Sequence, residues 1–96
     1  MTLKEKLIDF SSSLVGATNY PPNDYPEWGF WTYETHMADL KELWATIRTL
    51  LKKDADKISL IDQRLHEAIS AFDAGDKEAG VKAILDIYNL EVRDFR

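Results

Sequence analysis

Tyr20, Tyr25, Trp28, Phe30, Trp31 and Tyr33 place six of the chain's eleven aromatic side chains within fourteen residues. Rings of this kind stack on planar ligands and dominate binding hot spots. Tyr20, Tyr25, Trp28, Phe30 and Trp31 are therefore the candidate ligand- or partner-binding residues. The competing expectation is structural, with the rings plugging one end of a helical bundle. The two are compatible if Trp31 and Tyr33 are buried while Tyr20, Tyr25 or Trp28 stays partly exposed. The segment holds no lysine or arginine and carries Asp24 and Glu27. A phosphate-bearing ligand stacked there would need cations from elsewhere, such as Lys52, Lys53, Lys57, Arg48 or Arg64.

The other reactive side chains form no catalytic pattern. His36 and His66 lack the repeated i, i+3 or i+4 ligands of a helical metal site. Both are expected to be solvated surface residues, and no metal site is predicted. Ser11, Ser12, Ser13, Ser59 and Ser70 have no nucleophile-elbow context. Gly16, Gly29, Gly75 and Gly80 make no phosphate loop. Asp54, Asp56, Asp62, Glu67, Asp73, Asp76 and Glu78 are spread along the second half as caps and solvated faces, with no pair marked out for acid–base work. The sequence predicts no enzyme activity and no cofactor.

Helices must position these residues. Thr2 and Glu5 have capping-box spacing, and Leu3, Leu7, Phe10 and Leu14 follow at helical intervals, which predicts a helix over 3–15. Residues 16–31 form the one long irregular stretch, where Pro21, Pro22 and Pro26 remove backbone donors. A second helix is predicted over 32–53 from Tyr33, Met37, Leu40, Trp44, Ile47 and Leu51. A third over 56–74 follows from Ile58, Ile61, Leu65, Ala68 and Phe72. Gly75 ends it and Asp76 caps a fourth over 77–89, while EVRDFR is expected to fray. The heptad register crosses KKDADK unbroken, so one long helix would also satisfy the pattern. A hairpin with its tip within 52–57 is favoured, because a short chain must fold back to bury its stripe.

The fold expected is all-α, a three- or four-helix bundle built on an antiparallel helical hairpin, in a single domain over 1–96. Leu40, Trp44, Ile47, Ile61, Leu65 and Phe72 are its predicted core. Cysteine is absent, which removes disulfides and thiolate ligands and fits a cytoplasmic protein. Net charge is −5, from 17 acidic and 12 basic residues, against duplex nucleic acid or anionic membrane as partner. The first and fourth helices leave apolar surface that one small bundle does not cover, so a homo-oligomer is expected.

The run Tyr33-Glu34, Glu42-Leu43, Ile47 and Leu50, then Ser59-Leu60, Arg64-Leu65 and Glu67-Ala68-Ile69, resembles the helical hairpin of phage proteins that sequester cyclic-nucleotide immune signals. The prolines after Tyr20 match an extended segment that precedes their hairpin. Where that family closes its second helix with small residues and a tryptophan, this chain reads SAFDAGDK. The resemblance implies a non-enzymatic oligomeric sponge for a small nucleotide-like ligand, an anti-defence role. The alternative expectation is an acidic inhibitor of a protein partner, in the manner of toxin-immunity proteins. The lack of basic residues among the aromatics favours the protein partner.

Overall fold

In a computed structural model, which describes residues 2–27, 29 and 31–96, the chain folds into four α-helices: α1 (Leu3–Ala17), α2 (Tyr33–Leu50), α3 (Ile58–Asp73) and α4 (Lys77–Tyr88). Single 3-10 turns follow at Ala55–Lys57 and Val92–Asp94, and no strand occurs among the described residues. No described helix is long and apolar enough to cross a membrane.

Helices α1, α2 and α4 each start where a side chain satisfies a free backbone amide. Thr2 accepts from the Glu5 amide at 3.2 Å. Thr32 and Thr35 form a reciprocal capping box at the start of α2. After α3, Gly75 takes the left-handed conformation (φ +82°). Its amide and that of Asp76 then bond back to the Phe72 and Ala71 carbonyls, and Asp76 caps α4 through the Ala79 amide at 3.1 Å.

The polar stretch after α2 does turn the chain. Leu51 is extended (ψ 135°), and Lys57 leads directly into α3. The helix pairing differs from the one the stripes suggested. Rather than α2 closing on α3, the closest backbone approaches are α1 with α2 and α3 with α4. Phe10 stacks on Trp44 with centroids 5.7 Å apart. Helices α2 and α3 still run antiparallel, but they meet through long side chains. Trp44 Nε1 donates to Asp62 at 2.6 Å, Arg48 pairs with Asp62 at 3.2 Å, and the Tyr33 hydroxyl donates to Asp73 at 2.5 Å. The predicted core residues Leu40, Trp44, Ile47, Ile61, Leu65 and Phe72 are all buried, together with Leu7, Phe10 and Leu14 from α1 and Ile84 and Ile87 from α4.

The expectation that EVRDFR frays is overturned. Val92 and Phe95 are buried in the main core, against α1. The Arg96 backbone oxygen accepts from three successive amides, Lys52 (2.9 Å), Lys53 (2.9 Å) and Asp54 (3.1 Å). The Arg96 amide in turn donates to the Asp54 carboxylate at 2.8 Å. The amides of residues 52–54, which follow α2, are thus satisfied by a residue 42 to 44 positions further along the chain, a link that local periodicity does not report.

Gly80 lies where α3 and α4 touch. A Cβ there would stand 2.3 Å from Phe72 Cε1, deep inside contact distance. In an exposed helix, glycine to alanine stabilises by about 1 kcal/mol. Here Gly80→Ala is expected to have the opposite sign and cost about 1–3 kcal/mol, the usual range for overpacking, as measured by denaturant unfolding. Phe95→Ala is expected to cost about 3 kcal/mol by the same assay, near the lower end for emptying a buried phenylalanine site.

Candidate functional site

The aromatic segment begins where α1 stops. The Thr18 hydroxyl donates to the Val15 carbonyl at 2.7 Å, and the Asn19 and Tyr20 amides both donate to Gly16 O. The chain turns again as the Asp24 amide donates to Tyr20 O at 2.7 Å, with Pro21 fully buried beneath. Tyr20 packs on Tyr25 at 5.7 Å, tilted by 32°.

The residue that organises this segment is His36. Expected as a solvated surface side chain, it is completely buried. The loop folds back over the end of α1 and covers it. Its Nε2 lies 2.9 Å from Ser13 O and its Nδ1 2.6 Å from the Tyr25 hydroxyl. A carbonyl only accepts, so Nε2 carries the proton and the phenol donates to Nδ1. Both ring nitrogens are spent in the neutral tautomer. Burial pushes the imidazole below its usual range, against the opposing pull of the Ser13 carbonyl and the Asp39 charge. Burial also raises the Tyr25 phenol, so it stays a donor.

Trp31 lies on the other side of this imidazole, stacked at 4.0 Å and 23°. Gly16 makes room for both rings: a Cβ there would come within 3.0 Å of Trp31 Cζ3 and 3.3 Å of His36 Cε1. Trp31, a candidate binding residue that the combined binding and structural reading would bury, is 38% exposed. It forms one wall of an open depression of about 460 Å³ lined by Asp9, Ser12, Ser13, Asp39 and Leu43. Asp39 accepts from the Ser13 hydroxyl at 3.2 Å. Neither Asp9 nor Asp39 appears in an ion pair among the described residues.

The predicted site residues therefore divide. Tyr20 and Tyr25 are half-buried and brace the loop, and Trp31 presents a ring to solvent. Trp28 and Phe30 lie outside the described residues. The cation that reaches the loop, Lys77, is bound to the Asp24 carboxylate and to Asn19 O. Of the cations the sequence offered as phosphate partners, Arg48 pairs with Asp62, Arg64 with Glu67 and Asp86, and Lys57 with Asp56. Sequence reasoning missed His36, Gly16, Asp9 and Asp39. A signal for His36 existed: it sits at steps of 4, 3 and 4 from Leu40, Leu43 and Ile47, a second stripe beside the one through Tyr33.

A second hollow, about 420 Å³, runs between α2 and α3 and is lined by Lys41, Trp44, Leu65, His66 and Ile69 among others. Its polar ends are already engaged in the bridges through Asp62 and Asp73, so it reads as the seam of the bundle. No group of three His, Cys, Asp or Glu side chains among the described residues is placed to hold a metal ion.

The buried imidazole ties stability to pH. Its folded-state value lies below the ordinary value of 6.5, so the unfolded chain takes up the proton first. The stabilisation is complete above about pH 6.5 and is lost as pH falls from there toward the folded value. Between about pH 7 and pH 5.5 the melting temperature of the native chain should fall, and His36→Asn should start lower and fall less over the same interval.

Comparison with known protein families, with characterised proteins and with solved structures finds no match, so the chemistry of the Trp31 face is what bears on function.

Proposed function

We propose that the protein acts by binding a basic protein partner, without turnover, through the face formed by Trp31, Asp9, Asp39 and Leu43. The observation that carries this reading is the setting of Trp31. Its ring is fixed from behind by His36 and Gly16, stays exposed in front, and is flanked by two carboxylates that no cation neutralises among the described residues. An immobilised indole loses little entropy on binding. An arginine or lysine laid over it gains cation–π attraction as well as pairing with the carboxylates. The overall charge of −5 draws such a partner from a distance. An inhibitor of the toxin-immunity type fits this chemistry. The nucleotide-sequestering alternative has less support, because Lys77, the cation at the aromatic loop, is already committed to Asp24.

The test is a titration of arginine-containing peptides followed by the indole N–H resonances. The Trp31 signal should move selectively. Trp31→Ala should weaken binding by about tenfold, the scale of a cation–π contact in a partly desolvated setting. Asp9→Lys should do the same, and added salt should weaken the native complex. Neutral peptides that bind as well as basic ones, or shifts that avoid Trp31, would rule the reading out.

A further inference from the structure

We propose that the chain self-associates through the outer face of α1 and α4, in a twofold dimer whose axis passes between Ser11 and Ser12. Seven large apolar side chains are exposed among the described residues; three of them, Ile8 (39%), Val15 (45%) and Tyr88 (38%), line one groove, and Leu85 (40%) is exposed on the same helix as Tyr88. Ile8 and Val15 lie two turns apart on α1 and so share a side of the helix. Tyr88 of α4 lines the same shallow groove as Ile8, Ser11, Ser12 and Val15, and Leu85 lies one turn before Tyr88. Exposed apolar surface concentrated in this way marks a contact site.

The pattern along α1 accommodates a second copy as the occupant. Ile8 and Val15 are equidistant from the Ser11–Ser12 midpoint. An antiparallel copy of α1 across that midpoint therefore sets Ile8 of each chain against Val15 of the other. At the axis Ser11 is buried and Ser12 is small and exposed, so no long side chain holds the two backbones apart. In this register Lys4 meets Asn19 and Glu5 meets Thr18, so no charge of α1 faces its like across the two α1 helices.

Charge points the same way. A chain carrying −5 repels its own copies over most of its surface. The rim of this face is balanced, with Lys4 and Arg93 beside Glu91 and Asp94. The footprint is set by the length of α1 and the width of two helices, roughly 500 Å² per copy and roughly 1,000 Å² in all, a size that gives weak association. The face is distinct from the one around Trp31: Asp9 points about a quarter-turn or more away from Ile8 and Val15 around α1, and only Ser12 borders both.

Sedimentation from low micromolar to near-millimolar concentration tests this. The native chain should rise from 11.1 kDa toward twice that mass, and added salt should favour the larger species by screening the net charge. Val15→Glu and Tyr88→Lys, on two different helices, should each stay at monomer mass with an unchanged circular dichroism spectrum. Leu50→Glu, at an apolar position exposed on α2, should dimerise as the native chain does. A native chain that stays at monomer mass throughout overturns the proposal. So does a dimer that survives both Val15→Glu and Tyr88→Lys, or one that Leu50→Glu abolishes while they do not. Salt separates this contact from the Trp31 face, since binding of a basic partner weakens as salt rises while self-association strengthens.

Discussion

One buried imidazole holds three parts of the chain together. His36 comes from α2, its Nε2 binds the backbone of α1 at Ser13, and its Nδ1 accepts from Tyr25 in the connecting loop. An unpaired imidazole in that position would be costly to bury, and here both nitrogens are satisfied. The first part of the loop is also tied down, by buried Pro21 and by the bonds from Lys77 to Asp24 and Asn19 O. Its prolines restrict it locally, but the Tyr25 bond and the Trp31 stack fix it to the bundle. The placement of Trp31, and with it the proposed binding face, depends on this neutral histidine.

The helices were legible because they bury one side. Periodic apolar residues, a threonine cap before α1, Gly75 and Asp76 after α3, and the polar break near residue 52 each encode a local event, and each event occurs close to its expected position. Partner choice between helices was not legible in this way. The stripes of α2 and α3 are consistent with direct closure, but α2 buries a broader arc that includes His36 and Leu43 and turns it toward α1. The seam with α3 is then left to Trp44, Arg48 and Tyr33, whose polar tips reach Asp62 and Asp73.

The candidate site was half legible. The aromatic cluster announced that the loop mattered, yet residue type alone could not say which ring would face water. That is decided by Gly16, where the missing side chain lets Trp31 and His36 lie against α1, and by the direction of the Tyr25 hydroxyl. Asp9 and Asp39 were invisible as site residues because they sit on different helices, 30 positions apart, and only the α1–α2 pairing brings them to one depression.

The bond network around the Arg96 oxygen has a kinetic meaning. The α1–α2 and α3–α4 pairs join neighbours in sequence, so each can collapse quickly as a local unit. Joining the pairs into one body brings α4, Val92 and Phe95 to α1 and Arg96 to the amides of residues 52–54, contacts that span more of the sequence than the helix pairings do. Loop closure of that span is slow relative to helix pairing. Two helical hairpins would then form early and dock late, with the segment after α4 acting as the clasp that turns independent halves into one cooperative unit.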